Sequence, residues 1–149
     1  MTGSRIRENG CAGRRTSLEA WCQEMRKSIA GIRERLEADL EEMERYLRLA
    51  APMDATREKA ICECTRMVAT SAETLYSLTE IFVRWSKQPA PDSAWDAALA
   101  AKTDALLEAA ANVVATEPYR TNCLERFSYV REKWPHWCPA FDHERAATA

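Results

Sequence analysis

Apolar and polar positions recur along this chain with the period of an α-helix. The clearest run is Ile61, Cys64, Val68, Ser71, Leu75, Leu78, Phe82 and Trp85, whose steps alternate between three and four residues. That spacing makes one seam on one helix face, apolar everywhere except Ser71, and such a seam needs cover from water. A matching seam precedes it: Leu18, Cys22, Met25, Ile29, Ile32, Leu36, Leu40, Met43, Leu47 and Ala50. Its step of four repeats at Leu36 to Leu40, a stutter that locally relaxes left-handed supercoiling.

The first predicted helix runs from Ser17 to Ala50. Thr16 and Glu19 match a capping box, in which Thr16 is the N-cap and Glu19 reaches back to its amide. Gly31 inside this helix costs about 1 kcal/mol against alanine, and close approach of another helix is the expected reason. Pro52 stops the helix, and Asp54 is the expected N-cap of a second helix over 55–87. A short turn between two long helices predicts an antiparallel hairpin. Its register brings Trp21 near Trp85, Ile29 near Leu75 or Leu78, Leu36 near Ser71, and Met43 near Ile61 or Cys64.

Two prolines stiffen the next connection, Gln88 to Asp92. A third, alanine-rich helix is predicted over 94–116, capped by Asp92 or Ser93 and carrying Trp95, Leu99, Leu106, Leu107, Val113 and Val114. A fourth is predicted over 119–133, with Thr116 as N-cap, a buried side of Tyr119, Cys123, Phe127, Val130 and Trp134, and Pro135 as its stop. The expected fold is all-α: an antiparallel up-down bundle of four main helices built on a long coiled-coil-like hairpin. One domain spans 16–138, between a flexible basic arm over 1–15 and a flexible tail over 139–149.

Composition agrees with helix and narrows function mainly by exclusion. The chain is 46% apolar and 30% charged over 149 residues, with only four glycines. A net charge of −2 gives no global attraction to nucleic acid or anionic membrane. The charge is uneven. Arg5, Arg7, Arg14 and Arg15 face only Glu8 in the arm, whereas Asp92, Asp96, Asp104 and Glu108 face only Lys102 over 91–116. No apolar stretch is long enough to span a membrane. The six cysteines do not read as a disulfide framework, because Cys22 and Cys64 occupy seam positions and sit at opposite ends of the hairpin. A reducing, cytoplasmic setting is the expectation.

The chain carries no phosphate-binding glycine loop, nucleophile elbow or metalloprotease helix. Cys123, His136, Cys138 and His143, with Asp142 beside them, depart from paired zinc-ligand spacing, so neither a metal nor another cofactor is expected. The five tryptophans favour a binding module. Trp21, Trp85 and Trp95 are expected to converge at the open end of the hairpin, joined by Trp134 and Trp137. Seam left uncovered there would be buried by a protein partner or a second copy. The leading expectation is therefore a non-catalytic helical interaction protein. The alternative is a small subunit of a nucleoprotein complex that contacts nucleic acid through Arg5, Arg7, Arg14, Arg15, Arg120, Arg126, Arg131 and Lys133. An enzyme or zinc protein with a C-terminal Cys/His site ranks third.

Overall fold

A computed structural model describes residues 10–137, with side chains from 17 to 133. It contains four helices: α1 (Gly10–Arg48), α2 (Ala55–Ser86), α3 (Ala97–Val113) and α4 (Tyr119–Trp137). Among the described residues there is no strand. The helices form the expected up-down bundle. α1 lies along α2, α4 packs on α2 and α3, and α3 reaches both helices of the hairpin.

The seams explain the core. Cys22, Ile29, Leu36, Leu40 and Met43 of α1 are buried, as are Ile61, Cys64, Val68, Leu75 and Phe82 of α2. Trp21 meets Phe82 near the open end, and the Arg57 guanidinium meets the Tyr46 carbonyl near the turn. Both contacts fit the antiparallel register within about one helical turn. α3 contributes mostly alanine at the contact, Ala100 and Ala110 being fully enclosed with Leu107. Buried Thr65 and Thr103 donate to the carbonyls of Ile61 and Leu99 one turn back, so neither hydroxyl is stranded.

Several helix ends differ from expectation. α1 begins at Gly10, not at Ser17, so Thr16 lies inside the helix and residues 10–15 are helical backbone rather than arm. Alanine and arginine favour extension once packing has formed the helix. Asp54 does cap α2, accepting from the Arg57 amide at 2.8 Å. The cap of α3 is Asp96 rather than Asp92 or Ser93, accepting from the Leu99 amide at 2.8 Å. Trp95 therefore precedes the helix, and its backbone N–H donates to Thr79 Oγ1 at 3.1 Å. At the start of α4 the capping oxygen belongs to Glu117, which accepts from the Thr121 amide and hydroxyl, and not to a Thr116 side chain. α4 also continues past Pro135 to Trp137. A proline removes only one donor there, and two residues of helix follow it.

The close helix approach expected at Gly31 is not found. A Cβ added there would meet nothing within 4 Å, so no neighbouring helix requires the glycine.

Polar contacts fix the short helices to the hairpin. Arg33 Nη1 donates to the Ala94 carbonyl at 2.6 Å and to Asp96 at 3.0 Å, holding the start of α3 at mid-α1. At the other end of α3, the Glu58 carboxylate accepts from the Ala115 and Thr116 amides at 2.9 and 3.2 Å. The Thr116 side chain, together with these amide bonds, holds the Glu58 carboxyl below its usual range. Arg57 donates to the carbonyls of Tyr46, Ala51, Leu47 and Leu49, satisfying acceptors that the end of α1 would otherwise leave open. With α3 starting at the level of Arg33, the open-end half of the hairpin extends beyond it.

Candidate docking surface

The extended part of the hairpin carries an apolar groove. Its walls are Leu18 and Trp21 from α1 and Ile81 and Trp85 from α2, around a cavity of about 350 Å³. The spacing is helical: three residues separate the first pair and four the second, so each pair stacks on one helix face. Among the described residues no charged side chain lines the groove. Trp85 is 68% exposed, Leu18 49% and Ile81 41%. Leu18 and Trp85 are the terminal positions of the two seams, where the hairpin runs past the start of α3.

The floor is rigid. Phe82 is fully buried, and Trp21 stacks on it with ring centroids 6.3 Å apart and planes 10° from parallel. Arg26 covers the Phe82 ring from another direction, its guanidinium carbon 5.0 Å from the centroid, and donates to Gln88 in the connection after α2. The Phe82 ring thus makes contacts with both Trp21 and Arg26. A fixed aromatic surface loses little conformational entropy when a partner covers it.

The predicted tryptophan cluster forms in part. Trp21 and Trp85 share the groove, but Trp95 is buried at the lead-in to α3 and belongs to the core. Its burial follows from the late start of α3, which turns residue 95 inward against Thr79. Trp134 and Trp137 lie on the α4 backbone, and their side chains fall outside the described set.

The basic residues are divided by their neighbours. Arg131 donates in bidentate fashion to Asp104, at 2.8 and 3.0 Å, and reaches Glu108 at 3.4 Å. Its guanidinium also lies 4.9 Å from the Phe127 ring centre. The acidic excess of α3 thus answers an arginine of α4 inside the fold. Lys133 sits over the Tyr129 ring. Arg120 and Arg126 are exposed on α4. Arg14 and Arg15 lie on the α1 backbone with undescribed side chains, and Arg5 and Arg7 lie outside the described residues.

Of the Cys/His set, Cys123 is fully buried between α2 and α4, its thiol donating to Thr65 Oγ1 at 3.9 Å. His136 lies in the last turn of α4 with an undescribed side chain, and Cys138, Asp142 and His143 fall outside the described residues. Among the described residues no three metal-ligating side chains come together. No described helix is long and apolar enough to cross a membrane.

Sequence reasoning missed Arg57, Glu58 and Arg33, which organise the bundle ends. Each is a charged residue at a helix face that the hydrophobic pattern leaves unassigned. No protein-family model matches the chain, and comparison with curated proteins and with solved structures finds no match.

Proposed function

We propose that the protein is a non-catalytic helical interaction module that binds a protein partner through the Leu18–Trp21–Ile81–Trp85 groove. The observation that carries this reading is Trp85, a large aromatic side chain left two-thirds exposed in a groove that, among the described residues, only apolar side chains line. Exposed apolar surface collected in one place, with tryptophan at its centre, is the composition of a binding hot spot. The groove lies between two antiparallel helices, so it suits the apolar face of a third helix, supplied by a partner or by a second copy of the chain. A cytoplasmic setting fits this reading, since Cys22 and Cys64 serve as buried free thiols of the core.

The test is affinity capture from extract of the source cells, with and without nuclease, using the wild-type chain and Trp85→Glu. The expected result is a stoichiometric protein retained by wild type, insensitive to nuclease and lost from the variant. Light scattering over a concentration series separates a second copy from a different protein. Equal capture by both forms would refute the docking reading. Capture that disappears with nuclease would favour the nucleoprotein alternative.

A further inference from the structure

One face of α1 is left without cover. Trp21, Glu24, Ser28, Gly31, Arg35 and Ala38 step by three and four residues, so at about 100° per residue they form one row along the helix. The row lies on the side of α1 opposite Arg33, which bonds to the lead-in of α3. Trp21 is half-buried, and the other five are exposed. Glycine is a poor helix former, yet a Cβ placed at Gly31 would meet nothing within 4 Å. Nothing inside the chain uses the space that the missing side chain leaves. A helix from outside the chain can approach the α1 backbone closely at that point.

The row is complementary to its own reversed copy. Placed antiparallel about a two-fold axis between Ser28 and Gly31, it sets Ser28 against Gly31, Glu24 against Arg35, and Trp21 against Ala38. The small side chains fall at the centre, where two backbones come nearest. Opposite charges fall next on each side, and beyond them the indole covers the Ala38 methyl group. Neither charge is strongly committed within the chain. Glu24 pairs with Lys27 at 3.5 Å, but both side chains are about three-quarters exposed, and such a pair contributes little and exchanges readily. Arg35 is exposed and, among the described residues, enters no ion pair, although its charge acts on the nearby Asp39 carboxyl. Crossing helices diverge away from their centre, so the contact is confined to the turns from Trp21 to Ala38.

We infer that the protein forms a two-fold homodimer in which α1 packs antiparallel on α1 of a second copy, centred on Ser28 and Gly31 and clamped by Glu24 and Arg35. The inference deepens the docking reading and rests on it, because Trp21 belongs both to this row and to the groove, and the second copy is the occupant. Two-fold symmetry repeats every contact, so the interface carries two Glu24–Arg35 pairs. A different protein would require no such match of the row to itself. The self-match is what selects a second copy as the partner.

Light scattering of the full chain over a concentration series tests the proposal. The expected mass of wild type rises with concentration from 16.9 kDa toward twice that value. Glu24→Arg and Arg35→Glu each turn both attractive pairs repulsive, so each should raise the concentration of half-association by about tenfold or more. Mixed in equal amounts, the two variants should associate as wild type does, because each reversed side chain then meets its opposite. Gly31→Leu should wedge the helices apart and weaken association while helical circular dichroism stays unchanged. A wild-type mass that remains 16.9 kDa up to about 1 mM would overturn the homodimer. So would a mixture of the two charge variants that recovers nothing. If a monomeric wild type still captured a protein in a manner that depends on Trp85, the homodimer would fail and the docking groove would stand.

Discussion

Truncating Leu75 and Trp85 in parallel separates core from surface on a single helix. Both positions belong to the α2 seam, yet Leu75 is fully enclosed and Trp85 is 68% exposed. Leu75→Ala removes buried methyl and methylene groups and leaves a cavity among α1 and α2 side chains, which should cost about 3–5 kcal/mol. Trp85 hides only a third of its surface. A tryptophan buries about 150–250 Å² when enclosed, so roughly 70 Å² is hidden here, worth at most about 1.7 kcal/mol at 25 cal/mol per Å². The true figure is smaller, because the unfolded chain already covers part of that area. Urea unfolding followed by helical circular dichroism measures both, and the slopes should match wild type. In a domain of this size each kcal/mol moves the thermal midpoint by about 2–4 °C. Leu75→Ala should therefore lower it by about 10 °C, and Trp85→Ala by no more than about 5 °C. If Trp85→Ala lost as much stability as Leu75→Ala, the tryptophan end would be core. The docking groove would then fail with it.

Two further substitutions test the account of the fold. Gly31→Ala fills open space on an exposed helix face, so it should stabilise the protein by about 0.5–1 kcal/mol; a loss in urea unfolding would show that the glycine serves a bend or a contact. Glu58 and Asp39 should bend the pH profile in opposite directions. The Glu58 carboxyl is lowered on folding by its bonds to Thr116 and Ala115, so its contribution is complete above the unfolded carboxyl range and is lost as pH falls through the folded value. The Asp39 carboxyl is raised by burial and by Glu42, with one oxygen enclosed and lacking a hydrogen-bond partner, so it penalises the fold as pH rises out of the acid range. Glu58→Gln should accordingly destabilise more at pH 7 than at pH 3, and Asp39→Asn should stabilise more at pH 7 than at pH 3. Shifts that are independent of pH would refute both assignments.

The hydrophobic repeat alone determined that the chain is all-helical, that its first half is a hairpin, and which residues form the hairpin core. This information is local and periodic: a seam with steps of three and four residues has one helical solution, and a short turn with Pro52 forces the two seams together. The cap at Asp54 was legible for the same reason. Long-range pairing decided the rest. Whether Trp95 is surface or core depends on where α3 begins, and Arg33 and Thr79, far away in sequence, fix that lead-in. The Arg131 side chain reads as a free cation until α3 sets Asp104 beside it. The meeting of Cys123 with Thr65 follows from α4 packing along α2, which no periodicity in either segment encodes. The groove holds both kinds of information. The sequence supplied Leu18 and Trp85 as the end members of two seams. Only the length of α1 and α2 beyond α3 left those members facing water, because a seam position is buried only where another element reaches it.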